Sequence, residues 1–121
     1  SLVPLEYTIP LHVRDHFGRP VVISSGYRSE AVCEAIGSSS KSQHARGEAA
    51  DFEIMGVDNM QLAMWINKNT GFDQLILEFY EPGDPNSGWV HCSAVREGSR
   101  AQVLKASKVE GRTKYENILL I

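Results

Sequence analysis

The sequence predicts an α+β fold in which a central antiparallel sheet is flanked by helices. Residues 72–80 and 89–95 are rich in β-forming side chains. The segment between them, residues 81–88, holds two prolines and two glycines, which indicates a β-hairpin. Asp58 is placed as the N-cap of an amphipathic helix that ends before Gly71. Shorter helical and strand patterns on both sides of these elements complete the prediction.

The other elements follow from the same start and stop signals. Gly18 and Pro20 end a first helix, and Gly26 ends the strand that comes next. Ser29 is a suitable N-cap for a short second helix. The predicted boundaries are 11–17 for the first helix, 20–25 for a strand, 30–36 for the short helix, 48–54 for a strand and 101–106 for a last strand. The tail after Val109 fits no single element.

Length and charge restrict the class of protein. A chain of 121 residues supports one hydrophobic core, so we expect a single domain over residues 1–121. The formal net charge of -3 gives no positive field for nucleic acid, which we exclude as a partner. No apolar run of 18 residues and no leader pattern is present, so membrane insertion is not expected. Because the chain begins at Ser1 within part of a helical pattern, we expect a truncated or processed N-terminus.

Residues 42–51, SQHARGEAAD, place an imidazole and a carboxylate seven positions apart. His44 and Asp51 both carry groups that bind zinc, and a turn at Gly47 would let them approach one point. His91, in the middle of a strand pattern, offers a third ligand. Three protein ligands leave one position for water, which is the arrangement of a catalytic zinc site. Taken alone, however, the spacing is also consistent with a structural role.

Three motifs surround these residues. They are Ser24-Gly26-Tyr27-Arg28-Ser29, Ser42-His44-Gly47-Ala49-Asp51 and Trp89-Val90-His91. In this order they resemble the M15 family of D-alanyl-D-alanine carboxypeptidases, D,D-dipeptidases and phage endolysins. Residues 72–79, FDQLILEF, resemble its phage-associated branch in particular. The resemblance implies a hedgehog/DD-peptidase-like fold and a bacterial or phage protein that acts at the cell wall.

The resemblance also implies roles for single residues. His44, Asp51 and His91 would hold one Zn²⁺ per chain. Arg28 would grip and polarise the substrate, which agrees with the rigid fork of donors that a guanidinium offers to a carboxylate or an oxyanion. Ser42 would either touch the substrate or shape its loop. Tyr27 and Trp89 are further substrate-binding candidates, and Trp89 fits either the wall of a cleft or the core.

The general base departs from the family pattern. Many members carry Glu or Asp three residues before the second histidine, and this chain has Gly88 there. Alternation along the strand places Leu75, Leu77 and Phe79 on one face and Gln74, Ile76 and Glu78 on the other. On its own strand, His91 shares a face with Trp89 and Ser93, while Val90 and Cys92 face the core. Glu78 is therefore the predicted base, which would deprotonate the attacking water, with Glu81 and Asp84 of the turn as reserves.

The two cysteines, Cys33 and Cys92, allow at most one disulfide, which a domain of this size does not need. Both lie where a small apolar residue would pack, so we expect two buried free thiols. His12 and His16 are four residues apart on a helix, but Val13 stands where a metalloprotease helix has glutamate. We interpret that pair as a solvated helix face.

The leading functional hypothesis is zinc-dependent hydrolysis of a peptidoglycan stem peptide. The scissile bond is either D-Ala-D-Ala, for a carboxypeptidase, or L-Ala-D-Glu, for an endolysin-like endopeptidase. The alternative is a catalytically inactive zinc-containing domain that binds the cell wall or serves as a phage structural component. Hedgehog signalling domains share the zinc arrangement, and the missing acid at Gly88 permits this alternative.

Overall fold

The computed structural model describes residues 7–25 and 49–120. Two helices and six strands lie within these ranges. In chain order they are α1 (Thr8–Phe17), β1 (Val21–Ser25), β2 (Ala49–Ile54), α2 (Asn59–Asn69), β3 (Gln74–Glu78), β4 (Trp89–Ser93), β5 (Gln102–Val109) and β6 (Arg112–Asn117). The α+β class is thus confirmed. The short helix predicted over residues 30–36, with its cap Ser29 and with Cys33, lies outside the described residues.

The six strands form one sheet in the order β1-β2-β4-β3-β5-β6. Every neighbouring pair is antiparallel except β3 and β5, which run parallel. The prediction of a wholly antiparallel sheet is therefore wrong at this pair. The reason is that β2 and β3 occupy the two edges of β4, so the strand that follows the hairpin joins the free edge of β3, where it runs in the same direction as β3.

One face of the sheet carries the main hydrophobic core, because both helices pack against it. The buried apolar side chains come from α1, α2 and alternate positions of the central strands. They include Ile9, Val13, Leu62, Ala63, Ile66, Ala50, Phe52, Ile54, Leu75, Leu77, Val90 and Cys92. The prediction that Val90 and Cys92 face the core is confirmed. We call this side of the sheet the helix face and the opposite side the site face.

The helix ends follow the sequence signals. Gly18 adopts a left-handed conformation with φ 64° after α1, and its N–H donates to the carbonyl of Arg14 at 2.9 Å. At the start of α2, Oδ1 of Asp58 accepts from the N–H of Met60 at 2.8 Å, as predicted for an N-cap. Helix α1 starts earlier than predicted because Pro10 is tolerated in its first turn. Neither helix is long and apolar enough to cross a membrane.

The N-terminus of α2 holds both ends of the turn between β3 and β4. Nδ2 of Asn59, a buried residue, donates to the carbonyls of Ser87 at 2.9 Å and Gly88 at 3.1 Å. At the other end, the hydroxyl of Tyr80 donates to Oδ2 of Asp58 at 3.1 Å. Burial and this hydrogen bond raise the pKa of Tyr80 above its ordinary value. The residues just before and just after the turn are thereby fixed to the helix.

A buried carboxylate anchors the connection from β4 to β5. Asp73 is 1% exposed and accepts hydrogen bonds from the guanidinium of Arg100, the shortest at 2.8 Å from Nη2. The backbone N–H of Arg100 also donates to Asp73, at 2.9 Å, and that of Gln102 donates to the Asp73 carbonyl. Hydrogen bonding to Asp73 raises the pKa of Arg100. These bonds set the starting point of β5 beside β3.

Candidate metal centre

Asp51 and His91 face each other across β2 and β4. They are direct cross-strand partners, and Oδ1 of Asp51 lies 2.9 Å from Nδ1 of His91. His91 is 1% exposed. The contact arises because the register aligns two strands that are distant in sequence. Because both residues lie in paired strands, the backbone hydrogen bonds of the sheet fix the two donor groups beside each other.

Glu78 joins this pair from the adjacent strand β3. In the β3–β4 register, Ile76 is opposite His91 and Glu78 is opposite Trp89, which makes Glu78 the diagonal neighbour of His91. Donor atoms of Asp51, Glu78 and His91 all lie within 4.8 Å of one another. The prediction that Glu78 and His91 share a face is confirmed. Three strands therefore bring three donor groups to one point of the site face.

The donor set suits a metal ion of the zinc type. It combines one imidazole nitrogen with carboxylate oxygens, and zinc binds both at about 2.0–2.2 Å. At such bond lengths, the ligand atoms of a tetrahedral site lie about 3.3 Å apart, whereas Oδ1 of Asp51 and Nδ1 of His91 are at the 2.9 Å of a direct hydrogen bond, which an ion would replace. Glu78 is 4% exposed, and a carboxylate withdrawn from water requires a compensating charge or hydrogen bonds. A bound cation would add to the interactions that this carboxylate already has.

Gly88, at the position where the resemblance leads us to expect an acid, lies where the backbone admits no side chain. Its φ is 65°, and a Cβ atom there would collide with the carbonyl oxygen of Glu78 and lie 2.9 Å from the backbone N of Tyr80. The close approach of the two chains leaves no room for any side chain. The chain segment that excludes a side chain at Gly88, residues 78–80, is thus the segment that carries Glu78.

Phe79 does not follow the predicted alternation. It was expected on the helix face with Leu75 and Leu77, but it packs on the site face against a second cluster of Ile76, Leu104 and Ala106. The physical reason is its left-handed backbone, with φ 56°, which interrupts the strand after Glu78. For a bulky side chain this conformation costs roughly 1–3 kcal/mol. The ring of Phe79 therefore lies beside the residue proposed as the base.

Trp89 is half-buried on the site face, opposite Glu78. Its ring lies 5.4 Å from that of Phe79, centroid to centroid. Its Nε1 is buried without a hydrogen-bond partner among the described residues. Trp89 thus lies beside the donor group, and its role in substrate binding stays a prediction.

Several other residues lie apart from the donor group. Cys92 is a buried free thiol on the helix face, and burial raises its pKa, so the thiol stays protonated. Glu81 and Asp84 are exposed in the turn, where Asp84 accepts from the N–H of Asn86. His12 and His16 are exposed on α1, as predicted, with His16 stacked on Trp65.

Four predicted site residues lie outside the described residues: Tyr27, Arg28, Ser42 and His44. The flanking strands show where the chain leaves and returns. Ser25, the last residue of β1, pairs with Asp51, and β2 begins at Ala49 beside Ser93. The segment that carries the four residues therefore departs from and re-enters the sheet next to Asp51.

A comparison with sequence models of protein families matches residues 7–93 to the family described as Peptidase M15. This match spans more than half of the chain and contains Asp51, Glu78 and His91. The chain belongs to the M15 peptidase family. Membership implies a peptidase, and M15 peptidases are typically metal-dependent, which agrees with the donor group found on the site face. Comparisons with curated proteins and with solved structures gave no match.

In this M15 peptidase, the matched region runs from α1 to the end of β4. Strands β5 and β6 lie beyond it. They nevertheless extend the site face, because β5 pairs with the whole length of β3. Glu78 thus has a matched strand on one side and an unmatched strand on the other.

Proposed function

We propose that this M15 peptidase hydrolyses a peptide bond in the stem peptides of bacterial peptidoglycan and uses one zinc ion. His44, Asp51 and His91 would hold the ion. The observation that carries the proposal is the meeting of Asp51, Glu78 and His91 within 4.8 Å on one face of the sheet. When bound, zinc would lower the pKa of water and stabilise negative charge on a carbonyl oxygen.

Glu78 is the proposed general base. It would accept a proton from the attacking water and pass it to the leaving amine. Two features support the choice: the carboxylate is buried beside His91, and the turn acids Glu81 and Asp84 are exposed and outside the donor group. Because Glu78 is within the donor group, a role as a direct ligand is the competing interpretation. Metal content in a Glu78 variant separates the two.

Arg28 is proposed to bind the substrate, together with Tyr27, Ser42 and Trp89. A guanidinium would hold a terminal carboxylate or the oxyanion of the tetrahedral intermediate. The two candidate bonds make different demands on this residue. A D-Ala-D-Ala carboxypeptidase must recognise a free terminal carboxylate, whereas an L-Ala-D-Glu endopeptidase must not.

The test uses the zinc-loaded protein and two soluble stem pentapeptides, one with a free C-terminus and one with a C-terminal amide. A carboxypeptidase cuts only the free peptide, and an endopeptidase cuts both. The product masses identify the bond. Cleavage of neither peptide, and no release from purified peptidoglycan, would contradict the proposal.

A second candidate is a zinc-containing domain that binds the cell wall without turnover, for example as a phage structural component. The observation that favours it is Gly88 at the family's acid position, where the backbone admits no side chain. This candidate predicts sedimentation of the protein with peptidoglycan and no released products. The hydrolase predicts products, with or without retention on the wall.

A further inference from the structure

The strained residue Phe79 turns an aromatic ring onto the site face directly after Glu78. Regular alternation would have placed it on the helix face. Its backbone is nevertheless held there, because its N–H donates to the carbonyl of Ala106 in β5 at 2.8 Å. A left-handed bulky residue persists only where the surroundings impose it, and such residues cluster at functional sites.

Lys108 of β5 lies over this ring. Its Nζ is 5.8 Å from the centroid of Phe79, within the range of a cation–π contact. Lys108 is exposed, and among the described residues no carboxylate forms an ion pair with its ammonium group. The contact with the ring restrains the long side chain near the site face. A positive charge is thereby left available to a ligand.

The register fixes the distance of Lys108 from Glu78, the nearest member of the donor group. Ala106 pairs with Glu78, and Lys108 lies two residues further along β5 on the same face. Two residues of a strand correspond to about 7 Å and neighbouring strands lie about 4.8 Å apart, so the Cα atoms of Lys108 and Glu78 are about 8 Å apart. A ligand group that reaches Lys108 from a bond held beside Glu78 must therefore be within about two residues of that bond.

We propose that Phe79 and Lys108 form a subsite that binds a carboxylate of the substrate close to the scissile bond. This inference rests on the proposed function and adds a determinant of its specificity. Both candidate substrates carry such a group. D-glutamate has two carboxyl groups, of which only one continues the chain, and a D-Ala-D-Ala peptide ends in a carboxylate. Phe79 lies within the family match, whereas Lys108 of β5 lies outside it, so the charged half of the subsite is not part of the matched region.

The test compares three synthetic stem pentapeptides: one with all carboxylates free, one with the free D-Glu carboxylate amidated and one with the C-terminus amidated. We measure kcat/KM for the zinc-loaded wild type, Lys108→Gln and Lys108→Arg. Lys105→Gln is the matched control, since Lys105 is an exposed lysine of the same strand that pairs with Leu77 and so points to the helix face.

We expect Lys108→Gln to lower kcat/KM for the all-free peptide roughly fivefold, the upper range for an exposed charge pair. The amidated peptide for which Lys108→Gln and the wild type have equal kcat/KM identifies the carboxylate. If the C-terminally amidated peptide is not cut, the two proteins are compared by its inhibition constant against the all-free peptide, and equal constants identify the terminal carboxylate. Lys108→Arg and Lys105→Gln should keep the wild-type ratio of kcat/KM between the all-free and the amidated peptides. An unchanged preference in Lys108→Gln would overturn the subsite while the hydrolase stands. If the wild type cuts no peptide and releases nothing from peptidoglycan, the proposed function fails, and the subsite fails with it.

Discussion

Oδ1 of Asp51 and Nδ1 of His91 lie 2.9 Å apart although the residues are 40 positions apart in sequence. The register of β2 against β4 makes this contact. A slip of one residue would turn either side chain to the opposite face and disperse the donor group. The site therefore depends on features that fix the strands, and several of the following predictions test those features.

Glu78→Gln separates the roles of base and ligand. The substitution keeps the shape of the side chain and removes its basicity. If Glu78 is the base, kcat falls by about 10²- to 10⁴-fold while stoichiometric zinc is retained. Glu81→Gln, in the exposed turn, is the control and should retain activity. A variant that turns over at the wild-type rate would refute the assignment, and loss of zinc would identify Glu78 as a ligand.

Gly88→Ala should destabilise the protein more than Gly98→Ala. Both glycines have positive φ, 65° and 74°, so alanine pays the left-handed penalty of about 1–2 kcal/mol at either position. At Gly98 nothing lies within 4 Å of the added Cβ, whereas at Gly88 the Cβ collides with the Glu78 carbonyl. Overpacking adds about 1–3 kcal/mol there. Urea unfolding measures the difference, and equal midpoints would contradict the described backbone contact.

Asp73→Asn should cost about 2–3 kcal/mol of unfolding free energy, because it weakens the charged hydrogen bonds between Asp73 and Arg100. Asp15→Asn is the comparison. Asp15 is 74% exposed and lies 3.9 Å from Arg14, so its loss should cost less than about 1 kcal/mol. Thermal or urea unfolding distinguishes the two. Equal effects would show that Asp73 does not anchor β5.

Tyr80→Phe should flatten the alkaline side of the stability profile. The folded-state pKa of Tyr80 is raised, so its contribution is fully present below the unfolded pKa of about 10. That contribution is lost as pH rises from there through the folded pKa, because the unfolded chain releases the proton first. We expect the wild type to lose more unfolding free energy than Tyr80→Phe above pH 10. Parallel profiles would contradict the shift.

Much of the fold is predictable because the decisive signals are local. Asp58 and Gly18 mark helix ends through single hydrogen bonds with neighbouring residues. The proline- and glycine-rich turn between β3 and β4 specifies a hairpin. Strand β6 escaped prediction, although Glu110-Gly111 supplies a signal: both residues have positive φ, as in a two-residue hairpin turn. The single-domain organisation stays a prediction.

The parallel pairing of β5 was not predictable from local patterns. The choice of edge depends on which strands already flank β4, and Ala49–Ile54 is distant in sequence. At the site, strand alternation correctly predicted that Glu78 and His91 share a face. Alternation failed at Phe79, where contacts with β5 hold a left-handed backbone that propensity disfavours. Such conflicts between local preference and tertiary structure are expected at functional sites.

The most direct test of the account is zinc content by mass spectrometry, measured with peptidoglycan digestion for the wild type, His91→Ala and the control His12→Ala. His12 is an exposed histidine of α1, apart from the donor group. We expect one zinc per chain and released stem-peptide products from the wild type and His12→Ala, and the loss of both from a folded His91→Ala. A wild type that binds no zinc, or a His91→Ala variant that keeps its zinc and its activity, would contradict the central claim.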